Sequence, residues 1–172
     1  QFLTCYYYAA KAVSDPIIIE RLARFFNRCS RIKLLRCVMW YFNTRNIFDL
    51  IRNSMRNVHV ERLSLAYENH TPKETWLQLL DILRVNRVQN VHIATCDING
   101  FMHSLNALCD IARAGTAIQI SAQYWERDPV QFILRRASWE EFAKLMHDEE
   151  GITANLQQYS TGKSQFTISV VA

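Results

Sequence analysis

The sequence has 172 residues, of which 49% are hydrophobic, and a formal net charge of +4 at pH 7. This length suits one domain with its own core or a short repeat array, and we expect a single domain over residues 1–172. Only four glycines and three prolines occur, which argues against a flexible linker or a glycine-rich phosphate loop. The apolar runs are much shorter than the roughly 18 residues that a membrane span needs. We therefore expect a soluble chain of the cytoplasm or nucleus, and its start at Gln1 without a signal-peptide pattern suggests a piece of a longer protein.

Five cysteines are scattered along the chain and form no pair at two-residue spacing. They are Cys5, Cys29, Cys37, Cys96 and Cys109. Because each lies in an apolar stretch, the pattern predicts reduced core residues. His92, Cys96 and His103 come nearest to a metal-ligand cluster, but their spacing does not favour one. We expect neither a metal nor a cofactor.

The most informative feature is a repeat of about 28 residues. Five short β-type runs have central apolar residues that are separated by 28, 28, 28 and 27 positions, namely Tyr7, Leu35, Leu63, Val91 and Ile118. A helical pattern with one apolar stripe follows each run. The spacing predicts five β-α units over residues 4–28, 32–56, 60–86, 88–114 and 117–148.

The expected helix starts keep the same period. Asp15-Pro16, Thr71-Pro72 and Asp128-Pro129 each join a capping side chain to a proline at the first helical position, and they lie 56 and 57 residues apart. Ser138 and Glu141 form a possible capping box that predicts a further helix from Ser138 to His147.

Two alternating segments end the chain. Thr153 to Tyr159 and Gln165 to Val171 flank a Thr161-Gly162 turn signal, and this pattern predicts a β-hairpin over 152–172. The fold that we expect is α/β, a short leucine-rich-repeat-like solenoid with parallel strands on its concave face, helices outside and the hairpin as a cap. A flat, flavodoxin-like sheet remains an alternative, since β-α units specify parallel strands but not curvature.

One segment carries a family resemblance. Val88-x-x-Val91-x-Ile93-x-x-Cys96 resembles the leucine-rich-repeat consensus, and the 28-residue spacing resembles its ribonuclease-inhibitor-like class. Other units depart from the consensus, because Asn69 falls one position late and Gly115 replaces the leading aliphatic residue. Irregular arrays with a divergent ending resemble F-box-associated domains, including the FTH type. The resemblance implies a protein-protein interaction domain of a larger adaptor that recognises substrates for a ubiquitin ligase.

The concave face would present the residue between the two central aliphatic positions of each strand. This row and its neighbours form the predicted partner-binding surface: Tyr8, Arg36, Ser64, Arg62, His92, Asn90, Gln119 and Gln123. Its mixed polarity favours a protein partner over a phosphate backbone. We therefore predict a non-catalytic domain whose partner is another protein.

Two other functions compete with this interpretation. The arginines concentrated between Arg21 and Arg56 would suit nucleic-acid binding by the basic N-terminal half. Cys96 with His92 and Asp97 could form a cysteine nucleophile with a base and an orienting carboxylate. The consensus position of Cys96 favours a structural role instead, and we expect no enzymatic activity.

Overall fold

The strands that the structure describes build one sheet. A computed structural model describes residues 2–5, 16–39, 59–67, 80, 83, 88–95, 98–124, 128–160 and 164–172. Within these residues, the strands are β1 (Phe2–Cys5), β2 (Arg31–Met39), β3 (His59–Tyr67), β4 (Asn90–Ala94), β5 (Ala117–Tyr124), β6 (Thr153–Ser160) and β7 (Ser164–Val171). The helices of the same part of the chain include α1 (Pro16–Asn27), α2 (Leu105–Arg113) and α3 (Pro129–His147), and a 3-10 helix (Asn99–Ser104) leads into α2. Leu80 and Leu83 are also helical.

The sheet is mixed, with the strand order β1-β2-β3-β4-β5-β7-β6. The first five strands are parallel and lie in chain order. The last strand, β7, lies between β5 and β6 and is antiparallel to both. The C-terminal strands therefore extend the sheet that the parallel strands begin.

Alternation along the strands separates two faces of the sheet. On one face the aliphatic residues are buried, for example Leu63 and Leu65 of β3 and Val91 and Ile93 of β4, each at most 2% exposed. These side chains form one cluster with the buried residues of α2 and α3, and Ala23 of α1 packs against it. We call this the helix-covered face and the opposite one the open face.

The C-terminal part of the helix-covered face has an aromatic core. The Trp139 ring of α3 stacks on Phe166 of β7 at a centroid distance of 5.7 Å and an interplanar angle of 18°. Trp139 Nε1 donates to the Tyr124 hydroxyl at 3.2 Å, so that the buried indole N–H has a partner. Tyr124 meets Phe166 edge to face at 5.9 Å. These contacts hold α3 against β5 and β7.

Local signals set where the helices begin and end. α3 begins at Pro129, and Asp128 caps it by accepting from Val130 N at 2.9 Å. α2 ends in a Schellman motif, in which Gly115 has a φ of 93° and donates to the Ala112 carbonyl, while Thr116 N donates to the Ile111 carbonyl. A positive φ at this position favours glycine.

The helix predicted to start at Ser138 does not exist as a separate element. α3 runs without interruption from Pro129 to His147, and the Ser138 hydroxyl donates to the Leu134 carbonyl one turn earlier. A serine followed by a glutamate three residues later is therefore compatible with the middle of a helix, where the hydroxyl bonds back along the chain. The prediction confused this arrangement with a capping box.

The predicted leucine-rich-repeat solenoid with a hairpin cap is wrong. The protein is α/β with a mixed, mostly parallel sheet, and β7 inserts between β5 and β6 instead of closing the end of a repeat array. The 28-residue period requires only that consecutive strands lie side by side in parallel. It carries no information about the antiparallel strand that joins β5 from the end of the chain.

Candidate functional site

The site lies on the open face, where parallel strands bring polar residues into one row. Arg36 pairs with Ser64, Ser64 with His92 and His92 with Gln119 across β2, β3, β4 and β5. Ser169 of β7 continues the row next to Gln119. Because paired residues of adjacent strands point to the same face, their side chains form a continuous polar stripe.

A second row runs beside the first. Arg62 of β3 pairs with Asn90 of β4, and Asn90 pairs with Ala117 of β5. The two rows border a cleft of about 670 Å³, a volume in the range of sites for small ligands. The small side chain of Ala117 leaves room next to Gln119.

Both ring nitrogens of His92 lie close to serine hydroxyls. Its Nε2 lies 2.7 Å from Ser121 Oγ on β5, and its Nδ1 lies 3.4 Å from Ser64 Oγ on β3. Burial lowers the pKa of His92 below its ordinary value of 6.5, and the positive charge of Arg36 lowers this pKa further. The imidazole is therefore neutral at pH 7, with one nitrogen that donates and one that accepts.

The arginines of the cleft differ from several others in the chain. Arg24, Arg31, Arg113 and Arg136 each form an ion pair with a carboxylate. Among the described residues, no ion pair involves Arg36 or Arg62, and both are exposed. Their guanidinium groups are available to an anion that enters the cleft.

The predicted surface residues have different locations. Arg36, Arg62, Ser64, Asn90, His92 and Gln119 all line the cleft. Gln123 lies further along β5, where it pairs with Gln165. Tyr8 lies outside the described residues, as do Cys96 and Asp97 of the alternative cysteine site.

Sequence reasoning did not include two serines that belong to this face. Ser121 bonds to His92, and Ser169 lines the cleft beside Gln119. Ser121 could have been found, since it follows Gln119 by two positions and therefore shares its face. Ser169 depends on the pairing of β7 with β5, which no local pattern shows.

Within the described residues, no group of three or more His, Cys, Asp or Glu side chains is arranged to hold a metal ion. The same part of the chain contains no helix that is long and apolar enough to cross a lipid bilayer.

Known proteins offer distant structural likenesses. No family model matches the sequence, and no curated protein does. The solved structures with some similarity include an archaeal TYW1, with 13% identity and a TM-score of 0.42, and TYW1 with a bound lysine-pyruvate adduct, with 12% identity and a TM-score of 0.45. They match 96% and 95% of this chain, which spans only 56% of either TYW1 chain.

A third similar structure comes from Streptococcus pneumoniae. It carries the name of a tRNA (m1A22) methyltransferase and was solved in complex with S-adenosyl-L-methionine. It has 11% identity and a TM-score of 0.33 over 91% of this chain and 72% of that chain. All three TM-scores are below 0.5, so these likenesses define no family for the chain.

The predicted adaptor is wrong, because the chain forms a mixed sheet and not the repeat solenoid on which that prediction rested. The similar structures are TYW1 and a tRNA methyltransferase by name, not leucine-rich-repeat, F-box-associated or ubiquitin-ligase proteins. The adaptor interpretation also included a protein partner, the absence of a small-molecule cofactor and the absence of enzymatic activity. These three predictions are corrected together with the adaptor. The physical reason is that a period of spaced aliphatic residues describes strand packing and says nothing about what the exposed residues between them bind.

Proposed function

We propose that the open face binds single-stranded RNA and that the chain is the substrate-binding part of an RNA-modifying enzyme. The observation that carries the proposal is the row of Arg36, Ser64, His92 and Gln119, held in register across four strands of an accessible sheet face. Such a role places the chain in the cytoplasm or nucleus, where RNA is found.

The chemistry of the cleft suits a nucleotide chain. Arg36 and Arg62 supply two positive charges on neighbouring strands, and their planar groups can pair with phosphate oxygens or stack on a base. Asn90 and Gln119 offer amide donors and acceptors for base edges. Since neighbouring strands are about 4.8 Å apart, the row from β2 to β5 covers roughly 14 Å, enough for a short stretch of an extended single strand.

The position of His92 supports an enzymatic role for the same surface. A neutral, half-buried histidine with a lowered pKa in a cleft is typical of residues that exchange protons during a reaction. Two serine hydroxyls hold its ring on either side. The exposed Arg36 and Arg62 line the same cleft, and a histidine with a purely structural role would not require them.

The test is the salt dependence of RNA binding. We would measure fluorescence anisotropy of a labelled short single-stranded RNA between about 50 and 200 mM salt for the intact chain and for Arg36→Gln, Arg62→Gln and the double variant. Each substitution should reduce the slope of log affinity against log salt by about 0.7, the single-strand value for one neutralised phosphate. Single-stranded DNA and duplex RNA of equal length show whether the ribose and the unpaired bases matter.

Arg21 of α1 and Arg28, in the turn directly after this helix, provide a matched control. Both arginines are exposed, and α1 packs on the other side of the sheet. Arg21→Gln and Arg28→Gln should leave the slope unchanged. If these variants reduced it while Arg36→Gln did not, the basic helix and not the open face would bind RNA; absence of binding at the lowest salt would refute the proposal altogether.

A further inference from the structure

One polar contact of the open face joins His92 to Ser121, a serine that does not line the cleft itself. Ser121 of β5 is two residues beyond Gln119 and lies on the same face of the sheet. Its Oγ is 2.7 Å from His92 Nε2. Both residues are half-buried. Three adjacent strands thus present Ser64, His92 and Ser121 as a connected hydroxyl–imidazole–hydroxyl unit.

The tautomer of the imidazole decides what this unit can do. If the ring proton is on Nδ1, it points toward Ser64 Oγ at 3.4 Å, and Nε2 is left with a lone pair that faces the Ser121 hydroxyl. Ser121 then donates to Nε2. This is the arrangement of a serine nucleophile with its base, in which a third group holds the ring on the far side.

We propose that Ser121 is a nucleophile, with His92 as its general base and Ser64 as a positioning residue, and that the site cleaves an acyl ester of a phosphate-bearing compound. Ser121 Oγ forms a bond to the ester carbonyl carbon, and its proton passes to His92 Nε2. The ester C–O bond then breaks, and the imidazolium returns the proton to the departing alcohol. Water next attacks the acyl-serine with the same base, which releases the acid and restores Ser121.

Arg36 gives the reaction a preference for anionic substrates. Its positive charge opposes protonation of His92, and therefore weakens this base when the cleft contains no anion. A substrate phosphate paired with Arg36 would offset that charge and restore the ability of the imidazole to accept a proton. The choice of a phosphate-bearing ester, such as an acyl group on a nucleotide ribose, rests on the proposed function; the nucleophile itself does not.

The first experiment is labelling with a neutral fluorophosphonate, which transfers its phosphonyl group to an activated serine and releases fluoride. Peptide mass spectrometry of the intact chain should locate the adduct on Ser121. Ser121→Ala should abolish labelling, and His92→Gln and His92→Asn should each slow it by about 10²-fold or more, the usual contribution of a general base. Ser138→Ala, a half-buried serine of α3, should change nothing.

A second measurement tests the part assigned to Arg36. Arg36→Gln should speed labelling by the neutral probe, because it removes the charge that weakens His92. The same variant should lose any preference for an O-acetylated nucleoside 5′-monophosphate over the O-acetylated nucleoside. A residue with only a structural role would not produce these opposite changes.

Several outcomes would overturn the proposal. One is that Ser121 stays unmodified under conditions in which an authentic serine hydrolase is labelled. Another is that the two His92 variants are labelled as fast as the intact chain. A third is that Arg36→Gln changes neither the labelling rate nor the substrate preference. Ser121→Ala should retain RNA affinity. An intact chain that binds RNA but is not labelled would therefore refute the nucleophile alone, whereas an intact chain that is labelled but does not bind RNA would refute the proposed function alone.

Discussion

The two faces of the sheet are built from the same strands but have opposite chemistry. In β4, Val91 and Ile93 are at most 2% exposed on the helix-covered face, while His92 between them faces the cleft. In β5, Ile118 and Ile120 are buried, and Gln119 is exposed. A strand can therefore carry stability on one face and binding on the other, and substitutions on the two faces should have separable effects.

The largest effect is expected from Trp139→Ala on the helix-covered face. Trp139 is fully buried, stacks on Phe166 and donates to Tyr124. Removing this side chain leaves a cavity and breaks the hydrogen bond to the Tyr124 hydroxyl, so the free energy of unfolding should fall by about 3–5 kcal/mol. Denaturant unfolding followed by circular dichroism measures this loss.

Arg36→Gln is the matched substitution on the open face. Because Arg36 is exposed and takes part in no ion pair among the described residues, its replacement should change the free energy of unfolding by less than about 0.5 kcal/mol. A comparable loss of stability in both variants would show that the two faces are not independent.

An effect smaller than that of Trp139→Ala is expected where a buried hydroxyl connects two strand starts. Thr116 is 3% exposed, and its Oγ1 donates to the Val88 carbonyl at 2.6 Å. Thr116→Val keeps the shape but leaves this carbonyl without its partner, which should cost about 1–3 kcal/mol. Thr153→Val at an exposed position of β6 is the control, and an equal change in both would mean that the hydrogen bond contributes little.

The sequence predicted the rows of the open face better than the sheet as a whole. A period of 28 residues places equivalent positions of successive strands side by side, which is why Arg36, Ser64 and His92 lie in register. The insertion of β7 was not predictable in the same way, because antiparallel pairing between Ile120 and Ile168 joins residues that are far apart in the chain. Local patterns indicate that a strand forms, but not which neighbour it selects.

Side-chain partnerships were harder still to predict. The contact of His92 with Ser121 depends on side-chain rotamers as well as on the register of β4 against β5, and the rotamers have no sequence signal. The same holds for the stacking of Trp139 on Phe166. The protein class was missed for a related reason, since the aliphatic spacing that suggested a repeat family describes only the helix-covered face.

A loss of about 1 kcal/mol is expected from Asp128→Ala at the start of α3. The Asp128 carboxylate accepts from Val130 N at 2.9 Å, and this donor has no partner within the helix. The urea midpoint should fall, while the dependence on urea concentration stays unchanged. Gln131→Ala, an exposed change in the same first turn, should have almost no effect; if it lowered the midpoint as much, the cap would not be the cause.

The smallest effect concerns the pH dependence that His92 contributes. Because its pKa in the folded protein is below the value of 6.5 that it has when unfolded, the unfolded chain binds more protons between the two pKa values. The stability contribution is therefore complete above pH 6.5 and is lost as the pH falls through 6.5 toward the lowered pKa. Unfolding between pH 7.5 and pH 5 should lose less stability in His92→Gln than in the intact chain.

RNA should reverse the sign of this dependence at the cleft. A phosphate paired with Arg36 favours the imidazolium form of His92, so binding should take up protons and strengthen as the pH falls. Titration calorimetry in two buffers with different ionisation enthalpies measures that uptake, and His92→Gln should abolish it. Proton uptake that persisted in the variant would assign the effect to another group, and it would remove His92 from the RNA-binding part of the open face.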